Sequence, residues 1–285
     1  TRMTMKTVHT IAELRAQLNA WRQAGDKIAF VPTMGNLHRG HLELVRRGRG
    51  MAQRVVSSVF VNPLQFGPNE DFNRYPRTLE ADKAALAGEQ CDLLFAPNAA
   101  EVYPRGMEGL TRVNVPGISD ILDGHYRPGH FEGVATVVSI LFNLVQPHVA
   151  LFGEKDYQQL FIIRRMVADL HMPIEVVGVA TEREPDGLAL SSRNQYLGPD
   201  ERKLAPEMYA TLREVADKLK AGRRDFAALS YAGIKRLEAS TFRPQYLEVL
   251  SPDLGPAAQT DSRFVILTAA YLGKTRLIDN ISVSL

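Results

Sequence analysis

Residues 28–41, IAFVPTMGNLHRGH, decide the fold of this chain. The first four are apolar on both faces of an extended chain, which is typical of a strand buried in a parallel sheet. Gly35 and Gly40 follow, and glycine lets a backbone come close to a ligand. The segment therefore predicts a buried strand, a ligand-binding loop and the start of a helix.

Further runs of the same kind predict four more strands, at residues 55–61, 93–96, 149–152 and 174–179. Apolar residues at helical spacing lie between the strands or after them, over residues 42–51, 79–87, 133–144 and 157–170. Strand–helix alternation of this kind forms right-handed βαβ units. We therefore predict an α/β fold with a Rossmann-like, doubly wound parallel sheet, whose ligands bind beyond the carboxyl ends of the strands.

The character of the sequence changes near residue 185, where residues 184–187, EPDG, signal a turn. Helical patterns follow over residues 198–220 and 226–239, and strand patterns follow at 246–250, 264–267 and 277–281. We predict a Rossmann-like domain over residues 1–185 and a smaller C-terminal α+β domain over residues 186–285.

Composition argues against several classes of function. The chain has 34 basic and 32 acidic residues, and its net charge of +2 argues against a surface that coats nucleic acid. The single cysteine, Cys91, cannot form an internal disulfide and is expected to be buried. No signal-peptide pattern is present, and the apolar stretch at 134–145 is shorter than the roughly 20 residues that span a bilayer. We expect a cytoplasmic protein that binds neither nucleic acid nor membrane.

The loop after the first predicted strand carries two histidines, His38 and His41, which share a face at the start of a helix. A helix N-terminus offers free N–H groups and partial positive charge, which suit a phosphate. Two imidazoles there can donate hydrogen bonds to the oxygens of a reacting phosphorus. The alternatives are ordinary capping or core histidines, or a zinc site, although no nearby cysteine or third ligand completes a zinc site. The pattern favours phosphate chemistry.

Two later loops carry polar side chains. Residues 152–160, FGEKDYQQL, follow the fourth predicted strand and offer Lys155 as a phosphate ligand and Gln159 as an amide for a polar substrate. Residues 186–194, DGLALSSRN, offer serine hydroxyls and the guanidinium fork of Arg193, which suit phosphate oxygens. The alternatives are an exposed charged loop in the first case and a helix N-cap with a surface arginine in the second.

The His-x-Gly-His pattern of residues 38–41 resembles the signature of the nucleotidylyltransferase superfamily, which implies adenylyl transfer. Three further segments extend the match: NPLQF at 62–66, YPRT at 75–78 and RPGHFEGV at 127–134. Together with the two later loops, these segments resemble the pantothenate synthetase family in order and spacing over nearly the whole chain.

The resemblance implies an enzyme that joins pantoate to β-alanine with ATP and Mg²⁺, through a pantoyl adenylate, and releases AMP and pyrophosphate. It implies a homodimer, a first domain that binds ATP and pantoate, and a C-terminal lid domain. Gln65 would contact both pantoate and β-alanine, and Gln159 would contact pantoate. The implied catalytic residues are His38, His41, Lys155 and Arg193. The implied ATP-binding residues are Met34, Gly35, Asn36, Leu37, His38, Arg39, Gly40, His41, Gly153, Glu154, Lys155, Asp156, Glu182, Leu190, Ser191, Ser192 and Arg193.

Some details of this site stay open in the sequence. Glu182 stands where relatives have an apolar residue, so we expect its side chain to face away from ATP. We expect Arg39 to be exposed. His41 has two possible roles, as a proton donor or as an electrostatic stabiliser. Residues 66–77 predict a loop beside the site that could act as a lid.

Two other functions compete with this interpretation. One is a different adenylyl-transferring enzyme on the same fold, since a fold alone does not fix a substrate. The other is a non-catalytic nucleotide-binding protein. The retained histidines, lysine, serines and arginine argue against the second.

Overall fold

The computed structural model describes residues 4–285, which form two compact units. The first unit comprises the chain up to Glu154 together with Gln159–Ala180, and the second comprises Lys155–Gln158 together with Thr181–Leu285. The predicted domains at 1–185 and 186–285 stay a prediction, and residues 1–3 of the first lie outside the described residues.

The first unit contains a six-stranded parallel sheet with the order β1-β4-β3-β2-β5-β6. Its strands are β1 (Lys6–Val8), β2 (Ile28–Thr33), β3 (Arg54–Val59), β4 (Leu93–Phe95), β5 (Val149–Gly153) and β6 (Glu175–Val179). Its helices are α1 (Ile11–Gln23), α2 (Arg39–Arg49), α3 (Leu79–Gly88), α4 (Ala99–Val102), α5 (Asp123–Tyr126), α6 (His130–Val145) and α7 (Tyr157–Asp169), the first two residues of α7 belonging to the second unit. The predicted fold class is confirmed.

Strand β2 shows why the opening segment is apolar on both faces. Alternate residues of a strand face opposite sides of the sheet. Phe30 packs in one core cluster together with residues of α6, and the centroid of its ring lies 6.4 Å from the ring centroid of Phe142. Val31 packs in the other cluster, with Leu44 and Val45 of α2. Both sides of β2 are therefore covered by helices.

The order of the sheet reverses beside β2. Strands β3, β4 and β1 lie on one side of it, and β5 and β6 lie on the other. Ligands of open α/β sheets bind beyond the carboxyl ends of the strands at such a switch point. The loop that follows β2, residues 34–38, lies at this end of the sheet and therefore at the expected position of a ligand site.

Strand β1 and the helices α1, α4 and α5 of the first unit were absent from the sequence prediction. Strand β1 has only three residues, of which Val8 alone is buried, so no period of alternation is visible in it. It pairs with β4 as an edge strand. Helix α1 follows directly, and the side chain of Thr10 caps it by accepting a hydrogen bond from the N–H of Glu13. No helix within residues 4–285 is both long and apolar enough to cross a membrane.

The second unit contains an antiparallel sheet of β7 (Arg243–Leu250), β8 (Arg263–Leu272) and β9 (Thr275–Ser284), in that order. Its helices are α8 (Pro199–Leu204), α9 (Glu207–Lys220) and α10 (Phe226–Ala239). The sequence predicted one helical stretch over 198–220, and that prediction is wrong at residue 206. Pro206 has no N–H to donate and separates α8 from α9.

Candidate functional site

The loop after β2 is held by a buried carboxylate. Asp82, on α3, accepts hydrogen bonds from the N–H groups of Asn36 at 3.0 Å and Leu37 at 2.9 Å. The hydroxyl of Thr78 donates to the same carboxylate at 3.1 Å. Gly35 has a φ of +82°, and a Cβ at this position would lie 3.0 Å from the Asp82 carboxylate and 2.9 Å from Val59. Only glycine fits this turn without displacement.

The two histidines lie next to each other at the end of this loop. His38 is the N-cap of α2, and the ring centroids of His38 and His41 are 4.0 Å apart. The N–H of Gly40 donates to Nδ1 of His38 at 3.0 Å, and the N–H of His38 donates to Nδ1 of His41 at 3.1 Å. A ring nitrogen that accepts a hydrogen bond carries no proton, so each neutral imidazole carries its proton on Nε2.

The histidines therefore cap a helix, as one alternative from the sequence had it. These capping bonds also determine which nitrogen of each ring is the hydrogen-bond donor. The expectation of free N–H groups at the helix start is wrong for Gly40, which donates to His38, and for His41, which donates to the carbonyl of His38 at 3.0 Å. Arg39, between the two histidines, is exposed as predicted.

Gln65 lies in a short 3₁₀ turn, Pro63–Gln65, beyond the carboxyl end of β3. Its side-chain Oε1 accepts a hydrogen bond from Nδ2 of Asn62 at 2.9 Å. Nδ2 also donates to the carbonyl of Gly133 at 3.2 Å, and Oδ1 of Asn62 accepts from the hydroxyl of Tyr103 at 2.5 Å. All three side chains in this chain of hydrogen bonds are buried.

Helix α6 fixes the backbone of the same turn. A Cβ on Gly133 would lie 2.5 Å from the carbonyl oxygen of Leu64, so only glycine permits this close approach. His130, at the start of α6, contacts the carbonyl of Gln65 through Nδ1 at 2.9 Å. Burial, together with the charge of Arg127, lowers the pKa of His130 to about 4. Its imidazole is therefore neutral at neutral pH and donates to Gln65 through Nδ1–H.

The predicted lid, residues 66–77, is joined by an ion pair to the segment just before α6. Glu70 forms a two-point ion pair with Arg127, with distances of 2.6 and 2.9 Å. Burial opposes ionisation of Glu70, yet the hydrogen bonds and charge of Arg127 lower the pKa of this carboxyl below its ordinary value. Phe66 packs edge-on against Phe72 and Tyr75, so the segment also has contacts of its own.

The candidate residues of the other two loops fall in several elements. Gly153 ends β5, Glu154 and Asp156 bound a 3₁₀ turn that contains Lys155, and Gln159 lies in the first turn of α7. In the second unit, the carbonyl of Lys155 accepts a hydrogen bond from the side chain of Asn280 at 2.8 Å. This bond holds the backbone of Lys155 in place.

The serine and arginine segment also lies in the second unit. Ser191 caps the 3₁₀ turn Ser192–Tyr196, and its Oγ accepts from the N–H of Arg193 at 3.2 Å. The N-cap alternative therefore holds for Ser191, whose hydroxyl proton stays available for donation. The carbonyl of Glu182 accepts from the N–H of Leu190 at 2.9 Å, which places these two candidates beside each other.

The part of the chain that the structure describes contains no group of three or more His, Cys, Asp or Glu residues that could hold a metal ion. The predicted Mg²⁺ stays a prediction. Mg²⁺ is often held by one or two carboxylates together with substrate phosphates.

Several residues that organise the site were absent from the sequence prediction. Asp82 could have been found, because it lies on the apolar face of α3 between Leu79 and Leu86, and a buried carboxylate requires partners. Asn62 was quoted only within a motif. Tyr103 gave no signal, because its contact with Asn62 joins segments 41 residues apart.

The fold and this loop define a class: an α/β protein with a paired-histidine loop at the switch point of its parallel sheet. The chain belongs to the pantoate-β-alanine ligase family, whose family model matches residues 6–282. The predicted family and the predicted ligase class are confirmed.

Individual relatives extend over the same length. The pantothenate synthetase of Thioalkalivibrio sulfidiphilus is 58% identical over 282 residues, covering 99% of each chain. The crystal structure of pantothenate synthetase from Thermus thermophilus is 51% identical, with a TM-score of 0.92, covering 99% of this chain and 100% of that one. The pantoate-β-alanine ligase from Francisella tularensis, complexed with βγ-ATP and β-alanine, is 35% identical, with a TM-score of 0.83 and 97% coverage of both chains.

Proposed function

We propose that this chain condenses pantoate with β-alanine at the expense of ATP, through a pantoyl adenylate. The observation that carries the proposal is the pair of imidazoles at the carboxyl end of β2, whose Nδ1 atoms accept backbone hydrogen bonds. Their Nε2–H groups are then hydrogen-bond donors suited to the oxygens of a reacting phosphate. The Francisella relative is complexed with βγ-ATP and β-alanine, which supports both ligands.

In the first step, an oxygen of the pantoate carboxylate attacks the α-phosphorus of ATP. The bond from that phosphorus to the bridging oxygen breaks, and pyrophosphate leaves. A carboxylate with a pKa near 4 is already ionised at neutral pH, so this step needs positioning and charge stabilisation rather than a base. His38 and His41, with Lys155 and Arg193, supply donors of the required kind.

In the second step, the unprotonated amine of β-alanine attacks the acyl carbon of the adenylate. An amide bond forms, the acyl–phosphate C–O bond breaks, the attacking nitrogen loses one proton, and AMP leaves with the oxygen that pantoate contributed. Gln65 and Gln159 would hold pantoate through neutral amides, which bind hydroxyl and carboxylate oxygens without adding charge. The remaining ATP contacts are those that the family resemblance implies.

For His41 we propose the electrostatic role. A histidine that acts as an acid must first become an imidazolium, and protonation of Nδ1 would break the bond that it accepts from His38. A neutral Nε2–H donor keeps that bond in every step. His41→Gln, which retains an N–H donor at a similar reach, should therefore keep more activity than His41→Ala, for which we expect a loss of about a hundredfold or more. Equal activity of the two variants would instead support proton transfer.

Pyrophosphate exchange tests the proposed function. With the purified protein, labelled pyrophosphate should enter ATP only when pantoate is present and without any need for β-alanine. Exchange without pantoate would indicate a different adenylyl acceptor, which is the nearest rival. Absence of exchange under all conditions, with the fold intact, would favour a non-catalytic nucleotide-binding protein. Homodimer formation and cytoplasmic location stay predictions.

A further inference from the structure

The orientation of the Gln65 side chain is determined by the network around Asn62. A backbone N–H can only donate and a backbone carbonyl can only accept. The N–H of Leu64 meets Oδ1 of Asn62 at 3.2 Å, and the carbonyl of Gly133 meets Nδ2 at 3.2 Å. These two backbone partners leave a single assignment for the amide of Asn62.

The orientation of the Asn62 amide in turn determines the orientation of the Gln65 amide. Nδ2 of Asn62 donates to the atom that faces it at 2.9 Å, so this atom of Gln65 must be its oxygen. The amide nitrogen of Gln65, with its two N–H donors, is then directed away from Asn62. Within residues 4–285 this nitrogen makes no hydrogen bond. A side chain in this orientation binds a ligand atom that accepts, such as a hydroxyl or carboxylate oxygen.

Tyr103 completes the network from a different segment of the chain. It follows α4, beyond the carboxyl end of β4, whereas Asn62 and Gln65 follow β3, the neighbour of β4 in the sheet. Its hydroxyl donates to Oδ1 of Asn62 at 2.5 Å. Burial raises the pKa of Tyr103, so the hydroxyl keeps the proton that this bond requires.

We propose that Tyr103 is a positioning residue that acts through Asn62 and holds the amide of Gln65 with its N–H donors toward an oxygen of pantoate. This inference rests on the proposed function for the identity of the substrate. Tyr103 is buried, and its hydroxyl contacts Asn62 rather than Gln65. Without the hydroxyl of Tyr103, Oδ1 of Asn62 keeps only the N–H of Leu64 as a donor. The amide of Asn62 then holds the amide of Gln65 less firmly.

The kinetic test is a double-mutant cycle of Tyr103→Phe and Gln65→Ala. Tyr103→Phe should raise the KM for pantoate about tenfold, the range for losing one buried hydrogen bond, and should leave the KM for ATP unchanged. In the Gln65→Ala background, the same change should raise the KM for pantoate less than twofold, because the group that it positions is absent. Tyr271→Phe, a half-buried tyrosine in β8, is the matched control and should leave both KM values unchanged.

An equal rise in both backgrounds would show that Tyr103 does not act through Gln65. An equal rise in the KM for ATP, or an unchanged KM for pantoate, would also overturn the inference. A second measurement needs no activity: the side-chain ¹⁵N–¹H resonances of Gln65 in the protein without substrates. They should shift or broaden in Tyr103→Phe and stay unchanged in Tyr271→Phe, and unchanged resonances in both would overturn the positioning role. If the wild-type protein forms no pantothenate while these resonances respond as expected, the proposed function fails and the positioning of Gln65 stands.

Discussion

Replacement of Asp82 by asparagine tests whether the buried carboxylate organises the loop after β2. The carboxylate accepts bonds from the N–H groups of Asn36 and Leu37 through different oxygens. Asparagine keeps one oxygen and replaces the other by a donor, so one backbone N–H loses its acceptor. A hydrogen bond to a charged group contributes roughly 1.5–3 kcal/mol. We therefore expect a loss of about 2 kcal/mol in the ordering of the loop.

A loss of about 2 kcal/mol corresponds to a factor of about 30 in an equilibrium constant. The kcat/KM for ATP should fall by about that factor, because the misplaced loop carries His38 and His41. The KM for pantoate should change less than twofold. Initial rates of pantothenate formation, with ATP varied at saturating pantoate and β-alanine, measure both. The free energy of unfolding should fall by no more than about 2 kcal/mol.

The matched control is Asp92→Asn. Asp92 is another buried carboxylate that accepts a backbone hydrogen bond, from the N–H of Val55 at 2.8 Å. This bond, however, lies at the amino ends of β3 and β4. Replacement of Asp92 should lower stability and leave kcat/KM for ATP unchanged. A wild-type kcat/KM in Asp82→Asn, or the same kinetic loss in Asp92→Asn at matched fraction folded, would refute the anchoring role.

Three further results are expected. The pKa of His130 is lowered to about 4 in the folded protein, so only the unfolded chain takes up a proton as the pH falls from about 6.5 to 4. The free energy of unfolding should therefore fall by about 3 kcal/mol more over that range than in His130→Asn, measured by urea titration, and parallel curves would contradict this. Gly133→Ala should destabilise the protein by about 1–3 kcal/mol and raise the KM for pantoate, because its Cβ would meet Leu64. Gly88→Ala, in helix α3 with open space around it, is the control and should change stability by no more than about 1 kcal/mol. Glu70→Gln should increase hydrogen exchange across residues 66–77 by loosening the pair with Arg127, whereas ATP plus pantoate should reduce it in the wild type. No change of exchange with ligands would rule out a lid.

The opening segment predicted its local structure because strand, glycine turn and helix follow one another within 14 residues. Alternation of buried runs with helical spacing also predicted the parallel sheet. The short edge strand β1 was missed because three residues show no period. The break at Pro206 was missed because apolar spacing continued past it, although a proline without an N–H to donate is a warning of such a break.

The candidate site was predictable only where its residues belong to local motifs. The two histidines and Gln65 appear in local motifs, so a resemblance reveals them. The groups that orient them come from distant segments: Asp82 lies 46 residues beyond Asn36, and Tyr103 lies 41 residues beyond Asn62. Their partners are fixed by the neighbouring positions of β2, β3 and β4 in the sheet, which no local pattern encodes. The tautomers of His38 and His41 could not be predicted from the sequence either, because they depend on which backbone N–H groups donate to Nδ1.

The most direct test of the proposed reaction follows an oxygen atom. Pantoate labelled with ¹⁸O in its carboxylate is incubated with ATP, β-alanine and the purified protein, and AMP is analysed by mass spectrometry. Attack of the carboxylate on the α-phosphorus predicts one ¹⁸O in each AMP released. Pantothenate formed together with unlabelled AMP would contradict a pantoyl adenylate intermediate.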